Sequence, residues 1–308
     1  MMESARKSGP DGPMPQAIVD AHHHLWDLGR FPYPWLAPAA PPRPFGNHDA
    51  IKRNFLVPEY RTHFEDLPLI ASVHVQANCG AAVPSHETGW LADLSEQTGT
   101  PNAAVGGIDL TSETAPEVLA AHANYPLARG VRAMVAHDAT GRWRFSDRPG
   151  IMGGPAFMKN ASLMVELGFS LDLVVVPEQL CEVAQLAASL PDLTIIVDHL
   201  GTPEPKTQEQ WTSGIRTLAP CPNVALKLSG LWTVDKTWNS GRLRPYVQHV
   251  LDQIGPDRLM YGSNAPIETL HCSVLDQIRT LASLVDETDP QALDAVFSKT
   301  ATRVYRLE

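Results

Sequence analysis

The sequence predicts an α/β protein of the (β/α)8 class, a TIM barrel in a single domain with a long loop after its first strand. Three observations predict it. Eight short β-branched runs alternate with stretches of helical period. The runs are apolar nearly end to end, as strands covered on both faces are. Their polar residues gather towards the C-terminal ends, where barrel enzymes carry their chemistry. A doubly wound open sheet would show a Gly-rich turn after the first strand, and none is present.

In chain order the runs are 18–24 (IVDAHHH), 69–76 (LIASVHVQ), 103–110 (AAVGGIDL) and 129–135 (RGVRAMV), then 169–175 (FSLDLVV), 193–199 (LTIIVDH), 224–229 (VALKLS) and 259–264 (LMYGSN). Helical period is clearest at 178–190, 243–254 and 274–285, and a last helix is expected from near Pro290. The first connection, from Leu25 to about Pro68, is long and begins Pro-rich. A loop of that length on the C-terminal face commonly covers a site, so Tyr33, Trp35 and Phe45 are candidates to line one. Residues 1–16 are expected to be a disordered tail, leaving 17–308 for the barrel.

Composition narrows the function classes. The chain has 308 residues, 44% apolar and 19% charged, as a globular enzyme with a sizeable core has. A net charge of −10 without a basic block disfavours nucleic-acid binding. No run reaches the length of a membrane span, and the N-terminal stretch lacks the apolar centre of a secretory signal. Four scattered cysteines suit a reducing cytoplasm better than a disulfide scaffold or a zinc ribbon. The partner to expect is a small-molecule substrate; a homo-oligomer is left open.

The polar residues at the run ends form the candidate site. On a strand, side chains alternate, so His22 and His24 share one face and His23 takes the other. Two same-facing imidazoles offer half a metal site or a pair of acid–base groups. The second run carries His74 and Gln76, the fourth Arg132, the fifth Asp172, the sixth Asp198 and His199, the seventh Lys227 and Ser229, the eighth Ser263 and Asn264. Arg132 can grip a carboxylate bidentately. Arg132 and Lys227 also fit buried ion pairs, since a charge inside a barrel must be paired.

The combination DAHHHLWDL, PYPWL, GVRAM, VDHLGTP, NVALKLSGL and YGSNAPI resembles the amidohydrolase superfamily, specifically its lactonase group, from about Ile18 to Pro266. The resemblance implies a (β/α)8 barrel that opens a lactone or related cyclic ester by attack of activated water. Decarboxylation or hydration of an aromatic or unsaturated carboxylate, and a non-catalytic binding relative, are the alternatives. It implies catalytic roles for His22, His24, His199 and Asn264, with His22, His24 and His199 as ligands of one divalent ion, zinc rather than manganese. Metal-free catalysis by imidazolium groups is the other version. Arg132, Lys227, Trp35 and His74 are the residues expected near substrate. Asn264 stands where the family usually has aspartate, and an amide cannot be the general base. Arg132 and Asp172 stand near the positions where binuclear members carry metal ligands, so a bridged two-metal site is not expected.

Overall fold

A computed structural model describes residues 12–307. Its eight strands are β1 Ile18–His23, β2 Leu69–Val75, β3 Ala103–Gly107, β4 Ala128–Met134, β5 Ser170–Val174, β6 Ile195–Val197, β7 Val224–Leu228 and β8 Leu259–Tyr261. All pair in parallel in sequence order. The architecture is the (β/α)8 barrel, with helices between the strands.

The seam between β8 and β1 is closed by loop and side-chain contacts. His24 N–H donates to Ala265 O at 2.8 Å and Asn264 N–H to His22 O at 2.7 Å. Asp20 accepts from Ser263 N at 2.8 Å, Ser263 Oγ at 2.6 Å and Tyr60 Oη at 2.9 Å. These bonds tie β1, which carries His22 and leads straight into His24, to the loop that carries Asn264.

Val19, Ala21, Val73, Val105, Ile196, Ala225 and Met260 meet in one cluster. Six strands contribute to it, which only the barrel interior allows. Ala301, Val304 and Tyr305 of the terminal helix Thr300–Tyr305 close it. A larger cluster packs the helices against the outside of the barrel.

Several sequence-based boundaries shift. β6 is three residues long, so His199 lies beyond it in the turn Asp198–Gly201. The terminal helical segment begins at Leu293, just past Pro290, and passes into a π-helical turn at Ala295. β1 is bulged between Asp20 and His23, against strict alternation. Of the expected tail, residues 1–11 lie outside the described residues. Met14 packs against the main core and Pro15 is buried, so the docked chain begins before residue 17.

Candidate active site

Three imidazoles meet at the C-terminal mouth. The ring centroids of His22 and His24 are 5.1 Å apart, and those of His22 and His199 are 4.7 Å apart. His23 turns away and stacks on Tyr60 at 4.1 Å. His199 and Asn264 both have positive φ, 54° and 48°. Non-glycine residues hold that backbone only where their surroundings demand it, and such positions cluster at functional sites. Two glycines make room for the rings. A Cβ on Gly230 would lie 2.3 Å from His199 Nδ1, and one on Gly262 would lie 2.6 Å from His22 Cβ.

Each ring is neutral and oriented. Burial holds His22 and His24 well below the ordinary imidazole range, and His199 is lowered to about 4 for the same reason. His24 Nδ1 donates to Val75 O at 2.7 Å, which leaves a lone pair on Nε2. That atom is 3.2 Å from the Asn264 amide, which also lies 3.2 Å from Thr233 Oγ1. A lone pair and an amide oxygen cannot both accept. The bonding closes when the amide NH2 faces His24 and its oxygen accepts from the Thr233 hydroxyl. His199 Nδ1 bonds Ser229 Oγ at 2.9 Å.

Beneath the rings lies a buried charge network. Lys227 is fully buried, with Nζ 2.5 Å from Asp172, 3.1 Å from Asp198 and 3.4 Å from His22 Nδ1. Tyr305 Oη donates to Asp172 at 2.8 Å. Arg132 Nη1 is 3.6 Å from Asp198, and its Nη2 donates to Gln76 O at 2.5 Å. Two cations thus balance two carboxylates. Burial pushes the Asp198 carboxyl up, but the Lys227 ammonium and a hydrogen bond from His22 outweigh it and hold it well below the usual range.

Among the described residues, His22, Asp198 and His199 form the group able to hold a metal ion, their ligand atoms within 4.8 Å of one another. The fit is chemically sound. His22 Nδ1 faces Asp198 at 3.3 Å, while His22 Nε2 is buried with no partner. Two neutral imidazoles and a carboxylate are a zinc-type donor set. His24 stands beside this group, its ring nitrogens facing Val75 and Asn264.

A cavity of about 90 Å³ opens onto the rings, with His24, His199, Arg132 and Asn264 in its wall. A wider cleft of about 660 Å³ adjoins it and shares Asn78, Arg132, Met134 and Phe145. Trp35 and Phe45 of the long first connection line the smaller cavity, and Trp35 Nε1 anchors that segment on Ala77 O at 2.8 Å. Tyr33 is wholly buried and lines neither cavity.

Two residues expected near substrate also lie elsewhere. Lys227 sits under the site, because its ammonium is needed by Asp172 and Asp198. His74 is fully buried, with Nε2 3.3 Å from Leu25 O and its ring edge-on to His23 and His24. Neither lines either of these two cavities. Sequence reasoning did not single out Thr233 or Glu268. Glu268 accepts from Gly230 N at 2.7 Å and Trp232 N at 2.6 Å, and so holds the loop that presents Thr233. No signal in the sequence marks it. Asp198 did carry one: an acid directly before a histidine at the end of an apolar run.

The chain belongs to the amidohydrolase family, whose model it matches over residues 19–307. It is 31% identical over 299 residues to an L-fucono-1,5-lactonase of Burkholderia ambifaria, covering 94% of this chain and 96% of the relative. It is 32% identical over 259 residues to the uncharacterised protein y4mH of Sinorhizobium fredii, covering 83% and 87%. Among solved structures it resembles a zinc-bound amidohydrolase of Burkholderia multivorans, with a TM-score of 0.77 and 24% identity, covering 95% of this chain and 100% of that one. The chain is a hydrolase of this family.

Proposed function

We propose that this hydrolase is a lactonase, opening a lactone or related cyclic ester by attack of water on the carbonyl. The observation that supports it best is the cluster of the His22, His24 and His199 rings beside a cavity whose wall carries His24, His199, Arg132 and Asn264. The lactonase relative from Burkholderia ambifaria supports the same chemistry. A divalent ion held by His22, His199 and Asp198, zinc by the nature of those donors, would supply Lewis-acid polarisation of the carbonyl.

The chain's own groups do the rest. His24, neutral, holds its Nε2 lone pair against the Asn264 amide NH2; as that NH2 turns to the incoming water, the lone pair is freed and takes the water's proton. The new C–O bond forms, the ring C–O bond breaks, and the proton passes to the ring oxygen, which leaves as a hydroxyl. Asn264 cannot carry the proton; it fixes the orientation of the water and of the His24 ring. Arg132 steadies the substrate from the shared wall of the two cavities. The aromatic rings of Trp35 and Phe45 keep bulk water away. The four free cysteines suit work in the reducing cytoplasm.

The test is turnover of sugar lactones, muconolactones and pyrone carboxylates, with and without added zinc or manganese. Ring opening that is abolished in His24→Ala supports the reading. Failure with every lactone, together with carbon dioxide release from a benzoate-type acid, would identify a decarboxylase instead.

A further inference from the structure

The cavity wall does not suit a neutral, polyhydroxylated ring. Trp35, Phe45, Met134, Trp143, Phe145 and Val174 make most of it apolar, and no aspartate or glutamate lines it. Sugar hydroxyls placed against those six side chains would be left unpaired, which is costly. Two arginines do line it, Arg132 and Arg43. Arg132 is engaged by Gln76 and Asp198.

Arg43 is different. Its backbone is pinned in a tight loop, with N–H donating to Gly46 O at 3.1 Å and its carbonyl accepting from Gly46 N at 2.8 Å. Its side chain is half-buried and has no hydrogen-bond or ion-pair partner among the described residues. The guanidinium remains charged in any protein environment, so a ligand anion is the partner that would offset its lost hydration. It lies on the same segment as Trp35 and Phe45, and so at the entrance to the histidines.

We propose that Arg43 is an anion-recognition residue, and that the substrates are apolar-bodied lactones bearing a carboxylate that lies against it while the ring carbonyl meets His24 and His199. The substrate class rests on the lactonase reading; the anion site does not. Two measurements separate them. In the first, calorimetry compares benzoate with its neutral analogue benzamide on the full chain, on Arg43→Gln and on Arg43→Lys. Benzoate should bind about 10-fold or more tighter than benzamide, the preference should vanish in Arg43→Gln, and Arg43→Lys should keep part of it. Equal affinities, no benzoate binding, or a preference intact in Arg43→Gln would overturn the anion site.

In the second, kcat/KM is compared for muconolactone and its methyl ester. The acid should be preferred, and the ratio should fall about 10-fold in Arg43→Gln, mainly through KM. A ratio unmoved by the substitution, or better turnover of a neutral sugar lactone, overturns the proposed substrate class. Selective benzoate binding without turnover of any lactone would leave the anion site standing and sink the lactonase reading.

Discussion

Four imidazoles, those of His22, His23, His24 and His74, are wholly or almost wholly enclosed and that of His199 is half-buried, and this has a definite consequence for pH. His199 is lowered to about 4 and His74 to about 3, chiefly by burial, and the other three lie well below the ordinary range for the same reason. Above pH ~6.5 both folded and unfolded chains carry these rings neutral. As pH falls below that, the unfolded chain binds protons first, so stability is lost, by up to ~1.4 kcal/mol per pH unit for each ring, until the folded pKa is reached. Melting temperature should therefore drop steeply between pH 6.5 and 4. His23→Phe, which keeps the stack on Tyr60, should make that drop shallower; an unchanged slope would count against the buried neutral ring. Activity should hold down to about pH 5 rather than fall away at 6.5. At the same scale, Asn264→Ala should lower kcat by roughly 10²-fold with little change in melting temperature, as loss of an orienting dipole does. The histidine pair was legible in the sequence because two imidazoles one residue apart close an apolar run. The depth of each group was not. Lys227 and Arg132 read alike in the sequence, yet one is sealed between two carboxylates and the other faces the cavity.

The elements around the site work through close approach. The turn after β7 can hold His199 only because position 230 lacks a side chain. Gly230→Ala should push the imidazole aside, lower kcat/KM at least 10-fold and destabilise the fold by about 1–3 kcal/mol, read by denaturant titration. A variant with full activity would show that the ring's position is unimportant. The β1–β8 seam makes a second case. Asp20→Asn turns one carboxylate oxygen, each of which accepts two bonds, into an amide nitrogen, at a cost of about 1–3 kcal/mol. The strand count and order were legible, because buried parallel strands write continuous apolar runs. The bulge in β1 and the shortness of β6 were not, because both depend on contacts with neighbouring strands and turns.

At the scale of the whole molecule, the C-terminal helix seals the interior that carries the charge network. Tyr305 bonds Asp172, and the Lys227 ammonium lies 5.4 Å from the Tyr305 ring centroid. No chemistry is readable in that helix from sequence alone, because its partner lies 133 residues earlier in the chain. Lys227→Met should destabilise the fold by about 3–5 kcal/mol, since it strands two buried carboxylates. The central claim is that rings brought together from β1 and from the turn after β6 open a lactone. Its most direct test is proton release followed in a pH-stat with muconolactone as substrate, for the native chain and for His199→Ala at matched fold content. Saturable turnover by the native chain and a loss of at least ~10²-fold in the variant are expected. Equal rates for the two proteins, or a native rate no greater than the uncatalysed one, would contradict it.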